Sequence, residues 1–79
     1  MISDLLEKLA AAEHEQWIFW SKVFYQKHKN NPKLKSQFAK WEMLWNTPYD
    51  QLTEEQKEED RIWARKVLNI LITDLRAKL

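Results

Sequence analysis

A chain of 79 residues without a single glycine lacks the residue that turns corners with the least steric strain. Glycine enters positive φ freely because it has no Cβ, and most sharp reversals and phosphate cradles depend on it. A Walker loop, a Gly-x-Gly-x-x-Gly dinucleotide turn and a strained nucleophile elbow are therefore excluded at the outset. Corners fall to Asn30, Asn31, Asn46 and Asp50, the residue types that best tolerate turn geometry after glycine. Such a chain favours helices joined by short polar bends.

The length fits one domain, residues 1–79, near the lower limit for a single hydrophobic core. Cysteine is absent, so disulfides and thiolate metal sites are excluded, and a reducing cytosol suits the sequence. Ten aromatic residues, five of them tryptophan, are the available substitute, because each buries a large apolar area at few rotatable bonds. Oligomerisation is a second source of support. The N-terminal stretch "MISDLLEKLAAAEHE" becomes acidic too early for a signal peptide, and no apolar run is long enough to cross a bilayer. The expectation is a soluble, cytoplasmic protein. Net charge is +1, which gives no general drive toward nucleic acid or anionic lipid. Residues 27–52 are less even, with five lysines against Glu42 and Asp50.

Hydrophobic periodicity predicts an all-α, compact three-helix domain, with long helices over about 3–29 and 54–78 packed with a shorter one over about 32–45. Ser3 is a candidate cap for the first helix, whose apolar face is Leu5, Leu6, Leu9, Trp17, Trp20, Val23 and Phe24. "NNP" combines a stop with a start: Asn31 can cap, and Pro32 suits a first helical position. Leu34, Phe38, Trp41 and Trp45 form a narrow stripe on the second helix. "NTPYDQL" reads as an ordered connection, and "TEEQ" at 53–56 as a capping box. On the third helix Trp63, Ala64, Val67, Leu68, Ile70, Leu71 and Leu75 are expected to face inward. Ile18, Ile62 and Ile72 point away from these stripes and Phe19 stands near an edge, which suggests a second contact surface.

Several charged groups fall on the wrong side of this pattern. Glu13 lies within the apolar arc of the first helix, between Leu9 and Trp17, while Glu15 points to water and His14 sits at the edge. Asp60, one turn before Trp63, and Asp74 repeat the arrangement on the third helix. A carboxylate buried alone costs several kcal/mol, so each needs a partner, water or a proton. Two readings stay open: a buried polar network fixing helix register with Arg61, Arg65, His14, Tyr25 or Tyr49, or a pocket whose acids accept hydrogen bonds from a ligand.

The stretch "LAAAEHEQW" resembles the Leu-Ala-x-x-x-His-Glu-x-Trp opening of the RyR domain, a small repeat of ryanodine receptors that also occurs alone in bacteria and phages. "TPYDQLTEEQKEEDRIWARKVLNIL" is similar to that domain's second signature, a Pro-aromatic-x-x-Leu turn followed by an acidic capped start, Asp-Arg and a Leu-rich helix. The resemblance reaches His14, Glu15, Trp17, Pro48, Tyr49, Leu52, Lys57, Asp60 and Arg61. The middle departs from it, with a lysine-rich corner and a helix in place of the family's Gly-Trp-x-Tyr-Gly loop. The resemblance implies a single RyR-like helical domain that binds a ligand or a partner rather than catalysing a reaction, with adenine-nucleotide binding as the receptor precedent. By analogy with phage proteins of this kind, it extends to sequestering a signalling nucleotide in an anti-defence setting.

The functional expectation is accordingly a non-enzymatic module for a nucleotide-type ligand. Its candidate ligand-binding residues are Glu13, His14, Trp17, Trp20, Trp45, Tyr49, Asp60, Arg61 and Trp63, with the aromatic faces available to stack on a base. Lys27, Lys29, Lys33 and Arg65 are candidate phosphate contacts. The alternative is a protein-interaction or homo-oligomeric structural module without a small ligand. Neither cofactor nor metal is expected: "HEQWI" lacks the second histidine of His-Glu-x-x-His, and His14 and His28 stand far apart. DNA, RNA and membrane partners are not expected, whereas a dimer or higher homo-oligomer is.

Overall fold

The computed structural model describes residues 2–79, with side chains from residue 4 onward. Three α-helices make up the all-α chain: α1 (Ile2–His28), α2 (Lys35–Trp45) and α3 (Glu54–Lys78). No strand occurs among the described residues. α1 already includes Ile2, and the Ser3 side chain proposed as its cap lies outside the described residues.

Both corners are built without left-handed backbone, since no described residue has positive φ. At the first, Asn31 takes an extended conformation and its Oδ1 accepts the Lys33 N–H at 3.0 Å, ahead of a 3-10 turn over Pro32–Leu34 that leads into α2. At the second, Asn46 Nδ2 donates to the Glu42 carbonyl at 2.9 Å and Thr47 Oγ1 to that of Met43 at 2.7 Å, satisfying carbonyls that the end of α2 leaves open. A 3-10 turn at Tyr49–Gln51 follows. The expected capping box is present: Thr53 Oγ1 accepts from the Gln56 N–H, and Gln56 Oε1 accepts from that of Thr53.

α1 is the common partner on which α3, α2 and the turn at Tyr49–Gln51 all pack. Its seam recurs at Glu7, Ala10, His14, Trp17 and Ser21, spacings of three and four that keep one face toward its neighbours. Ala10 on α1 and Ala64 on α3 are fully buried, so two methyl groups let the backbones approach closely. Contacts of Glu7 with Arg61 and of His14 with Asp60 join the two helices, and together with the 53 Å length of the molecule they fit an antiparallel pairing. Beyond His14, α2 takes over, with Phe38 buried and Leu34, Trp41 and Trp45 half-buried along the expected stripe.

The inward face of α3 differs from its expectation. Ala64 and Leu68 are buried and Val67 half-buried, but Trp63, Ile70, Leu71 and Leu75 are 58%, 69%, 47% and 60% exposed. Two causes combine: the helix meets α1 through Ala64 and Leu68, which turns Trp63 and Ile70 aside, and the end of α3 passes the first residue of α1. Ile72 and Ile18, expected to point away, are half-buried, whereas Ile62 and Phe19 are exposed. Asp74 does not enter the core; it is exposed and pairs with Lys78 at 2.8 Å. The molecule is long, 53 × 24 × 15 Å, consistent with a ~40 Å α1 extended by about eight overhanging residues of α3 at ~1.5 Å each.

Candidate functional site

Where the three helices meet, a groove of about 570 Å³ opens between them. α1 supplies Glu13, Trp17 and Trp20, α2 supplies Trp41, and α3 supplies Asp60 and Trp63. Helical winding explains the grouping: Glu13, Trp17 and Trp20 are four and three apart, and Asp60 and Trp63 three apart, so each set shares a face. Trp41 is set by its neighbours, lying edge-on to Trp17 at 5.7 Å and tilted against Trp20 at 6.3 Å between centroids. Trp20 and Trp63 are 55% and 58% exposed, leaving much of their ring surface open to a ligand. Glu13, Glu59 and Asp60 face only Lys40, giving the lining a formal charge of −2 when all are ionised.

Asp60 is the electrostatically unusual member. Burial pushes its carboxyl above the ordinary aspartate range; the nearby His14 ring opposes this, while Glu59 and Glu13 reinforce it. His14 is 4% exposed and spans three segments of the chain. Its Nε2–H donates to the Thr47 carbonyl at 2.8 Å, a contact that requires the proton on that nitrogen. Its Nδ1 stands 3.6 Å from Asp60 Oδ2, an ion-pair contact when the ring carries a proton on both nitrogens.

On the other flank of α1, Glu7 organises a second cluster. Arg61 donates from Nε and Nη2 to the two Glu7 oxygens at 2.9 and 2.7 Å, and the Tyr49 hydroxyl donates at 3.1 Å. Arg61 also reaches Glu54 at 3.0 Å. The Arg61 hydrogen bonds hold Glu7 below the usual glutamate range despite partial burial. Arg61 is in turn raised, first by Glu7 and then by Glu54. Burial, then the Glu7 carboxylate, pushes Tyr49 up. Lys57 lies over the Tyr49 ring at 5.7 Å.

The structure thus divides the candidate residues. Glu13, Trp17, Trp20, Asp60 and Trp63 share the groove. His14 stands behind it, holding Asp60. Tyr49 and Arg61 belong to the Glu7 cluster, and Arg65 is engaged by both oxygens of Glu58. Trp45 faces elsewhere, donating its indole N–H to the fully buried Ser21 Oγ at 2.7 Å. It lines a second groove of about 660 Å³ together with Tyr25, Lys22, Lys29 and Lys35, set against Glu42 alone. Lys27 and Lys33 are exposed and line neither groove.

Sequence reasoning passed over Lys40, Glu59 and Glu7. Glu7 was legible in principle, since it lies three residues before Ala10 and seven before His14 on the same face. Of the residues that carry the RyR resemblance, His14, Tyr49, Lys57, Asp60 and Arg61 gather along the α1–α3 contact, and Leu52 is buried. No family model matches the chain, nor does any curated protein or solved structure.

Proposed function

We propose that this protein is a non-enzymatic binding module for a small ligand, and that its site is the groove lined by four indoles and three carboxylates. The observation that carries this reading is the placement of Glu13 and Asp60 beside Trp17, Trp20, Trp41 and Trp63 in one cavity open to solvent. The lining charge favours a flat organic cation: indole faces attract positive charge at about 0.5–2 kcal/mol per contact, and the carboxylates neutralise it. Phosphates would meet three acids there. The RyR assignment belongs to the same proposal, with Trp17, Leu52 and Asp60 as the motif residues that reach the groove.

Tryptophan fluorescence and calorimetric titration with N-methylquinolinium, its neutral analogue quinoline, and AMP test the reading. The cation is expected to bind, Glu13→Gln to weaken it by about tenfold, which is ~1.4 kcal/mol, and quinoline to bind less well. Equal binding of the cation and quinoline, or no response at millimolar concentrations, refutes it.

One observation favours a second reading, the nucleotide-type ligand expected from the sequence. The other groove sets Lys22, Lys29 and Lys35 beside Trp45 and Tyr25, a charge suited to phosphate. Saturable AMP binding lost on Lys29→Glu/Lys35→Glu but kept in Glu13→Gln would assign the ligand to that groove instead.

A further inference from the structure

The area left exposed exceeds what a folded chain of this mass retains. The accessible surface is 6522 Å² for 9.7 kDa, whereas a compact monomer of that size exposes about 5100 Å². The radius of gyration, 15.5 Å, likewise exceeds the ~11.6 Å of a compact 79-residue domain. The surplus of roughly 1400 Å² compares with the ~800 Å² that each partner contributes to a standard stable interface.

Part of the exposed apolar surface, which also includes Phe19, Val23, Met43, Ile62 and Leu75, gathers on one side. Leu5 on α1 and Trp63, Ile70 and Leu71 on α3 are exposed, with the half-buried Leu9 and Val67 among them. Antiparallel packing and helical periodicity put these positions on the same side of the two-helix layer. α2 packs on the other half of α1, so no third helix of the chain covers this end.

We infer that this face pairs with its counterpart on a second copy of the chain, α3 lying antiparallel to α3 about a two-fold axis through Ile70. The pattern of the helix is self-complementary in that register. Ile70 meets Ile70, and Trp63, seven residues before the axis, meets Ala77, seven after it, so that large packs on small. Lys66 and Asp74, each four residues from the axis, face one another twice. Both are exposed: Lys66 now lies over the Trp63 ring at 4.1 Å, and Asp74 holds Lys78 at 2.8 Å. A two-fold contact of this kind closes on itself and yields a dimer rather than a filament. The pairing needs no ligand in the groove, and of the residues in this register only Trp63 also lines it, whereas Ile70, Lys66 and Asp74 do not.

Sedimentation equilibrium and light scattering of the full chain, from 1 to about 200 µM, test the inference, with far-UV circular dichroism to verify helicity. The wild type is expected to be dimeric. Ile70→Glu is expected to raise the dimer dissociation constant by roughly a thousandfold, two symmetry-related anchors being lost at ~30-fold each. Lys66→Glu alone and Asp74→Lys alone are each expected to weaken the dimer, and the double variant to restore it. A wild type that is monomeric at 200 µM overturns the pairing. An Ile70→Glu variant that stays helical and dimeric overturns the face, and a double variant no tighter than either single one overturns the register.

Discussion

Replacing Glu7 with glutamine keeps the side chain's shape while removing its charge, and the structure sets what that should cost. The wild-type carboxylate accepts two bonds from Arg61, at 2.9 and 2.7 Å, and one from Tyr49 at 3.1 Å. Hydrogen bonds to a charged partner are worth about 1.5–3 kcal/mol when enclosed, and exposed ion pairs about 0–1 kcal/mol. The Glu7 side chain is 42% exposed and that of Arg61 only 17%, which places the pair between these limits. The glutamine retains one acceptor and presents an NH₂ group to a guanidinium that cannot accept from it. A loss of about 1–2 kcal/mol is expected at pH 7, equivalent to a Tm fall of roughly 4–16 °C for a domain of this length. Thermal melts followed by far-UV circular dichroism measure it, at one fixed protein concentration because association shifts Tm. The pH dependence supplies a sharper test. Glu7 is held below its ordinary value of 4.5 in the fold, so its stabilisation is present above that value and lost as pH falls through the lowered one. The gap between wild type and Glu7→Gln should therefore close on acidification. A gap under about 2 °C at pH 7, or one that widens as pH falls, would refute the assignment of Glu7 as the anchor of this cluster.

Asp60 should behave in the opposite sense. Its carboxyl is raised above 3.8, so ionisation destabilises the fold as pH rises through the raised value. The stability of Asp60→Asn relative to wild type should increase from pH 3 to pH 7 in urea titrations, and a decrease would contradict the burial argument. Leu68, 6% exposed against α1, should lose about 2–5 kcal/mol on change to alanine, seen as a large fall in the urea midpoint. Ser21→Ala removes the acceptor of the Trp45 indole N–H and should cost about 1–2 kcal/mol, with altered Trp45 fluorescence. A variant as stable as wild type would show that the indole finds water instead.

Much of the fold could be read because its signals are local. The capping box at Thr53 and Gln56, the Asn31-Pro32 start and the stripe from Leu34 to Trp45 each depend on residues within a few positions of one another. The rotation of α3 was not legible. Trp63, Ile70 and Leu71 make a larger apolar stripe than Ala64 and Leu68, and periodicity weights size, whereas close helix approach selects small side chains. The site was legible in part for a related reason. A wheel places Glu13 beside Trp17 and Asp60 beside Trp63, but it carries no information on which helix lies opposite. The pairing of His14 with Asp60, and the capture of Arg61 by Glu7, depend on an antiparallel register that no single helix encodes.

The reliance of α2, α3 and the Tyr49–Gln51 turn on α1 also bears on how the chain assembles. The contacts of α2 with α1 close a loop of about two dozen residues, as between Ser21 and Trp45, whereas Glu7 and Arg61 must meet across 54. Loop-closure entropy rises with that separation, and non-local contacts form late for the same reason. The α1–α2 hairpin is then the natural first structure during refolding, and the docking of α3 the later event that locks His14 and Glu7 in place.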